Sequence, residues 1–184
     1  MPTTTNVTTG KPKVAGAVYV APKGTTPPTD ASTALASAFN DLGYISDDGV
    51  TNANSPDTES IKAWGGQTVL VVTTEKSDTF QLTLLESLNA DVLKTVYGSS
   101  NVTVGTSTIG VTANATEPEE AVFVIETALR GGALKRIVIP CGKVKELGDI
   151  VYKDDEAIGY DVTIEAMPDS SGNNHYEYIQ LPTT

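Results

Sequence analysis

The sequence predicts a mainly β domain, a sandwich or barrel of about nine strands with one α-helix beside it. Its composition favours strands and turns, because Thr, Ser, Gly, Val and Ala are abundant and only 6% of the 184 residues are aromatic. Short apolar runs alternate with clusters of Gly, Pro, Asn and Asp along most of the chain. A complete helical period from cap to stop occurs once, in the segment that ends at Gly98.

The chain begins with a polar segment that precedes the first strand. Residues 1–13 are rich in Thr and contain Pro2 and Pro12, so we expect an extended N-terminal arm. Residues 14–21 (VAGAVYVA) are the first predicted strand, and residues 30–40 have weak helical spacing that allows one or two turns. We expect residues 14–184 to form a single domain.

Residues 47–64 are predicted to be a long polar loop, because almost none of them suits a core. A loop of this length inside a compact domain is usually functional or disordered. Its acids also suggest calcium, but their spacing does not follow the ligand pattern of an EF-hand loop. Calcium is therefore the less favoured alternative, and we expect a solvated or partner-binding loop with no cofactor. Its candidate contact residues are Asp47, Asp48, Asn52, Asn54, Asp57 and Trp64.

A long antiparallel hairpin is predicted next. Residues 65–74 (GGQTVLVVTT) form its first strand, and the polar residues 75–78 (EKSD) form its turn. In the second strand, 79–85, Phe80, Leu82 and Leu84 fall on one face.

The predicted helix follows this hairpin directly. Leu88, Val92 and Val96 recur at four-residue spacing, so we expect them to pack the helix against the sheet. Asn89 or Ser87 can cap its first turn.

The remainder of the chain is predicted to form further strands separated by turn residues. Residues 121–129 (AVFVIETAL) are too β-branched to favour a helix, and residues 159–167 alternate between apolar and polar side chains. The other predicted strands are 102–104, 108–113, 134–140, 141–147, 150–152 and 176–181.

The charge of the chain is strongly acidic and unevenly distributed. A net charge of −11 argues against binding nucleic acid through its phosphates and against docking to an anionic membrane. Residues 149–184 contain eight acids and one base. Ordinary solvated faces would explain this distribution, and the alternative is that copies of the chain meet with opposite charges juxtaposed. The candidates for such inter-subunit pairs are Arg130, Lys135, Arg136, Lys143 and Lys145 with Asp154, Asp155 and Glu156.

The chain is poor in side chains that perform catalysis. His175 is the single histidine and lies in a polar turn, where we expect it to be exposed. Cys141 is the single cysteine, which rules out an intrachain disulfide and predicts a small, buried or semi-buried strand residue. A carboxylate pair of the glycosidase type stays open, but such sites also use aromatic platforms and Trp64 is the single tryptophan. We expect no enzymatic activity.

The polar residues 1–10 do not form a signal peptide, so we expect synthesis in a cytoplasm.

Three segments of the sequence together resemble a known family. They are GAVYVAP at 16–22, FNDLGYISDDGV at 39–50 and IKAWGGQTVLVVTTEKSDTFQLTLLESLNADVLKTVYG at 61–98. In this order they resemble the major tail (tail tube) proteins of long-tailed, non-contractile bacteriophages, the siphophages. The resemblance is best over residues 14–98, and the β-rich remainder fits in outline.

This resemblance implies a fold and an assembly. The fold would be two packed, partly orthogonal β-sheets with a flanking helix, and subunits would join their sheets into hexameric rings that stack into a tube. The polar segment 47–64 would contact the next ring, and an acidic wall would let DNA slide during ejection. Implied partners are the tape measure, tail terminator and baseplate proteins, and the implied location is the virion, after synthesis in the host cytoplasm.

Two other classes of protein are compatible with these residues. One is a secreted or surface β-sandwich binding module, although the sequence lacks a signal peptide and is poor in aromatic residues. The other is a different tail component of related fold, such as a tail terminator or the tube of a contractile tail.

Overall fold

The structure is a computed structural model that describes residues 2–13 and 17–182. Short 3-10 turns lie at Thr4–Asn6 and Ser99–Asn101, and the helix α1 is Ala90–Tyr97. The described strands are β1 (Gly10–Pro12), β2 (Val18–Pro22), β3 (Asn40–Asp41), β4 (Ile45–Lys62), β5 (Thr68–Leu84), β6 (Val102–Val104), β7 (Ile109–Val111), β8 (Ala121–Leu129), β9 (Leu134–Leu147), β10 (Tyr160–Ala166) and β11 (Tyr176–Gln180).

Nine of these strands form one antiparallel sheet. Its main order is β3-β2-β8-β9-β10-β5-β4, while β1 pairs with β8 and β11 pairs with β9. Strands β6 and β7 form a separate two-stranded sheet. The predicted fold class, a mainly β sandwich with one flanking helix, is confirmed. Its two layers are halves of one continuous sheet.

Strand β9 is the corner at which the sheet passes from one layer to the other. Its first half pairs with β8 and β11, and its second half, from Gly142 to Leu147, pairs with β10. A strand that bends between sheets is the usual way to make such a corner. Gly142 lies at the bend, where an added Cβ would come within 2.6 Å of the Phe123 ring. The close approach of β8 therefore requires glycine here.

The core lies between the two layers and under the helix. Alternate residues of β10 and β5 point into it, because successive side chains of a strand face opposite ways. A single apolar cluster joins residues from β2, β5, α1, β8, β9 and β10. Its most buried members are Val18, Phe80, Leu84, Val92, Ile139 and Val162.

Helix α1 begins and ends as its sequence predicts, and two of its three predicted packing residues are buried. The Asn89 side chain accepts a hydrogen bond from the backbone N–H of Asp91, and Gly98 ends the helix with a φ of 89°. Val92 and Val96 are buried in the core. The prediction is wrong for Leu88, which is 87% exposed because it lies before the N-cap, outside the helix.

The predicted polar loop at 47–64 and the predicted turn at 75–78 are both wrong. Strand β4 runs through residues 45–62 and pairs with β5 along almost its whole length. The turn of this hairpin lies at residues 63–67, closed by a hydrogen bond of 2.8 Å from Ala63 N–H to Gln67 C=O. Residues 75–78 continue β5 without interruption. The prediction failed because β4 is polar on both faces and so lacks the alternation of a half-buried strand.

Smaller differences occur elsewhere. Residues 30–40 form no helix, because the Asp30 carboxylate accepts the N–H groups of Ser32 and Thr33 in a local turn. Strand β9 replaces the two strands predicted at 134–140 and 141–147, and residues 150–152 form no strand.

Three residues of the first predicted strand, 14–16, lie outside the described residues. The division into an N-terminal arm and one domain at 14–184 stays a prediction. Within that N-terminal segment, Gly10, Lys11 and Pro12 pair with β8 as strand β1.

Candidate functional site

Strands β4 and β5 extend past the body of the protein as a two-stranded projection. Strand β10 pairs with β5 only from Thr79 to Leu84, so beyond that point β4 and β5 pair with each other alone. We call residues 55–76 the ribbon. Every side chain that is described within it is exposed. At about 3.3 Å per residue the ribbon reaches roughly 30 Å from the body.

The ribbon carries uncovered apolar side chains to its tip. Val69, Leu70, Val71 and Val72 are 60%, 54%, 57% and 41% exposed, and Trp64 in the turn is fully exposed. Single exposed apolar residues are ordinary on a protein surface, but a contiguous group of this kind marks an interaction site. An isolated two-stranded hairpin is also only marginally stable in water. The ribbon is therefore a candidate interaction surface.

The root of the ribbon is fixed by a buried acid. The Asp78 side chain is almost fully buried, and its Oδ2 lies 2.5 Å from Nδ1 of His175. Its Oδ1 accepts a hydrogen bond of 2.9 Å from the Asn52 amide. The His175 ring also stands edge-on to Phe80, with ring centroids 5.2 Å apart. These contacts join β4 and β5 to the residue that precedes β11.

The prediction that His175 is exposed is wrong, because its side chain is only 15% exposed and covers Asp78. Sequence reasoning also placed Asp78 in a turn. The two residues are 97 positions apart, so no local pattern connects them. The signal that was present is a single aspartate at a core-facing position, two residues before Phe80 in the alternation of β5.

The predicted contact residues of segment 47–64 are spread from the root of the ribbon to its tip. Asp47 and Asp48 lie at the base of β4, where the Ser46 hydroxyl contacts both carboxylates. Asn52 is exposed and bonds to the buried Asp78 at the root, Asn54 and Asp57 lie along β4, and Trp64 is at the tip. These residues therefore form one strand and a turn, and their role in assembly stays a prediction.

The predicted inter-subunit bases mostly have partners within the subunit. Arg136 is wrong as a candidate, because its guanidinium is buried against Glu126 and donates hydrogen bonds of 2.7 Å to the carbonyls of Asp30 and Thr33. The lysines among these candidates form ion pairs inside the subunit. These are Lys135–Glu177 at 2.8 Å, Lys143–Glu117 at 2.5 Å and Lys145–Glu165 at 3.4 Å.

The remaining charge candidates are exposed. Arg130, Asp154 and Asp155 make no ion pair with any side chain that the structure describes, while Glu156 bonds to Lys153 at 2.7 Å. An exposed ion pair such as Lys153–Glu156 contributes only about 0–1 kcal/mol to the free energy of folding.

Cys141 lies half-buried beside an acid. Its Sγ is 3.2 Å from Oε2 of Glu120, which also binds Lys23 at 2.5 Å. Burial, and secondly the hydrogen bond to Glu120, raise the pKa of the Cys141 thiol. Thiolate is the nucleophilic form, so this arrangement does not activate the cysteine.

The described residues hold no cluster of three His, Cys, Asp or Glu side chains that could bind a metal ion. The acids at 47 and 48 bond to Ser46 instead of converging with further ligands. The described residues therefore give no support to a calcium site in segment 47–64.

Comparison with known proteins identifies the family of this chain. A family model described as phage tail tube protein matches residues 11–183, which is nearly the whole sequence. The chain belongs to the phage tail tube protein family. No curated protein matches it. Members of this family are structural components of the virion that associate with copies of themselves to form a tube.

A tail tube protein needs surfaces for contact with its own copies. None of the described helices is long and apolar enough to cross a membrane.

Proposed function

We propose that this tail tube protein forms hexameric rings that stack into the tail tube of a long-tailed, non-contractile phage and enclose the DNA during ejection. The observation that carries the proposal is the ribbon, a paired β-structure with apolar side chains exposed along its length. Such a surface suits a subunit that reaches its final stability only in an assembly.

Ring closure is supported by the open edge of the sheet. Strand β4 is the last strand at one edge and is 18 residues long, while the two-residue β3 ends the other. A long free edge presents unpaired N–H and C=O groups to a further strand. We infer that neighbouring subunits complete the sheet along these edges and that the proximal part of β5, next to β10, lines the ring interior.

Ring stacking is supported by the reach of the ribbon. A projection of roughly 30 Å exceeds what a contact within one compact body requires. We infer that Asp47, Asp48, Asn52, Asn54, Asp57 and Trp64, on β4 and in its turn, contact the adjacent ring.

The acidity of the subunit suits a conduit for DNA. With a net charge of −11, a wall of such subunits repels phosphates and disfavours non-specific binding. The tube would meet the tape measure protein in its lumen, and the tail terminator and baseplate proteins at its ends.

Negative-stain microscopy of the purified full chain tests this proposal. We expect six-fold rings and stacked tubes. A shortened variant, in which Asn-Gly replaces residues 58–74 and joins Asp57 to Glu75, keeps the register of the remaining hairpin. It should melt cooperatively and form rings without tubes.

Leu88→Asp is the control for loss of exposed apolar surface elsewhere, because Leu88 is an exposed apolar residue outside the ribbon. This variant should assemble like the parent chain. Normal tube growth by the shortened variant would refute the stacking role of the ribbon, and a monodisperse monomer of the parent chain at all concentrations would refute the proposed function.

A further inference from the structure

The ribbon has two exposed faces, and both carry apolar side chains. Residues paired directly across two strands project to the same face, and successive residues project to opposite faces. Ile61 pairs with Leu70 and Glu59 pairs with Val72, whereas Ser60 pairs with Val71. Leu70 and Val72 therefore lie on one face and Val71 on the other. One flat partner surface can cover only one side of such a ribbon.

The two faces also differ in charge. The first, which we call the acidic face, carries Asp57 and Glu59 beside its apolar residues; its members are Asp57, Glu59, Ile61, Leu70 and Val72. The second, the basic face, carries Lys62 and Lys76 beside hydroxyl residues; its members are Thr58, Ser60, Lys62, Val71, Thr73 and Lys76. A ribbon with opposite charges on its two sides suits two different surroundings.

We propose that the ribbon is held between two other copies of this chain and that its basic face lies on the acidic segment 149–156 of one of them. The proposal rests on the proposed function, since it assumes that copies assemble. It names the surface that receives one side of the ribbon.

The acidic segment offers the complementary charge. Asp149, Asp154 and Asp155 are exposed and make no ion pair with a described side chain. The same segment exposes apolar surface, because Tyr152 is 72% and Val151 is 44% exposed. These side chains can cover Val71 while the acids approach the lysines.

The lysines of the basic face are available for such a contact. Neither Lys62 nor Lys76 forms an ion pair with any side chain described in the structure, in contrast to Lys135, Lys143 and Lys145. An unpaired base can join an acid of another copy without first losing a partner within its own subunit.

The acidic face requires a second copy. Asp57 and Glu59 would be repelled by the acidic segment, so the same patch cannot cover both sides of the ribbon. Ile61, Leu70 and Val72 also give this face three exposed apolar side chains. The second copy must therefore present an apolar surface that is not acidic.

A charge exchange in the full chain tests the basic face. Lys62→Glu with Lys76→Glu should raise the protein concentration needed for tube growth by roughly tenfold or more, because attraction becomes repulsion at every repeat. Its dispersed subunit should melt like the parent. Adding Asp154→Lys and Asp155→Lys to this variant should restore tubes. Normal growth of the Lys62/Lys76 variant, or a failure of the exchange to restore growth, would overturn the assignment.

Glu59→Lys is the matched control, since it changes charge on the opposite face of the same strand. Asp154→Lys with Asp155→Lys should prevent tube growth in the same way, and adding Glu59→Lys to these two substitutions should not restore it. Tube growth by this combination would show that the acidic segment lies against the acidic face and not the basic face, which would refute the proposal.

Photo-crosslinking of assembled tubes tests the two-sided contact without altering any charge. A benzophenone amino acid at position 71 should crosslink to a peptide that contains residues 149–156 of another copy. The same probe at position 70 should crosslink to a different peptide of another copy. If both probes reach one peptide, the two-sided contact is wrong while the proposed function stands. If neither probe yields intermolecular crosslinks and no tubes form, the proposed function fails as well.

Discussion

Asp78 shows how one side chain fixes the direction of the ribbon. Its carboxylate is buried at the point where β5 leaves the body, and the His175 ring and the Asn52 amide satisfy both of its oxygens. A buried acid without such partners would be strongly unfavourable. The pair therefore couples the root of the ribbon to the residue before β11.

Removal of His175 should destabilise the subunit. His175→Ala leaves the buried Asp78 without its closest hydrogen-bond partner, and leaving a buried polar group unsatisfied costs about 1–3 kcal/mol. The free energy of unfolding, measured by urea denaturation of a dispersed subunit, should fall by this amount. The double variant Asp78→Asn, His175→Gln replaces the buried carboxylate and the imidazole together by neutral amides and should recover part of the loss. Equal losses in the single and double variants would show that the two residues are not coupled.

Cys141 should react slowly with thiol reagents at neutral pH. Burial and Glu120 raise its pKa in the folded state, so its thiolate forms only at higher pH than in the unfolded chain. The rate of alkylation by iodoacetamide should therefore rise with pH along a curve displaced upward from that of the same protein in urea. Glu120→Gln removes the carboxylate that raises the pKa of Cys141, while burial remains, and should move the curve part of the way back. A folded protein that reacts like the unfolded one near pH 7.5 would contradict this account.

At the scale of elements, helix α1 closes the core with one face. Val92 is fully buried, while Leu88, four residues earlier, lies outside the helix. Val92→Asp would bury an unpaired charge and should lower the free energy of unfolding by about 3 kcal/mol or more. Leu88→Asp is the matched substitution at an exposed site and should change it by less than about 0.5 kcal/mol. If thermal unfolding shows that Val92→Asp and Leu88→Asp destabilise the protein equally, the helix face is wrongly assigned.

The elements that the sequence could predict are those with one apolar, buried face and one polar, exposed face. Strand β10 alternates between core and surface, and α1 has one apolar stripe with a cap and a stop, so both could be found from their periods. Strand β4 could not, because its outer part has no buried face and its residues read as a loop. The contact of Asp78 with His175 could not be found either, since it depends on how distant strands meet. Periodicity reports burial within the subunit, and the ribbon is not buried there.

At the scale of the whole molecule, assembly should weaken as salt rises. The proposed contacts between the basic face and the acidic segment would act through exposed charges, and the screening length falls from about 10 Å at 0.1 M salt to about 3 Å at 1 M. Each pair is worth little, but pairs repeat at every subunit. Light scattering of the polymer should therefore decrease across this range. Salt also relieves repulsion between subunits of charge −11. An increase in scattering would show that this repulsion dominates and that apolar contacts hold the tube together.

The bend of β9 gives the subunit a mechanical property. Because both layers of the sandwich share this strand, a force that pulls on one layer passes to the other through a continuous backbone and its ladder of hydrogen bonds. The layers of an ordinary sandwich touch through side chains and can slide by small steps. Here such sliding would require the ladders on either side of Gly142 to break. A tube wall built from these subunits should therefore resist shear.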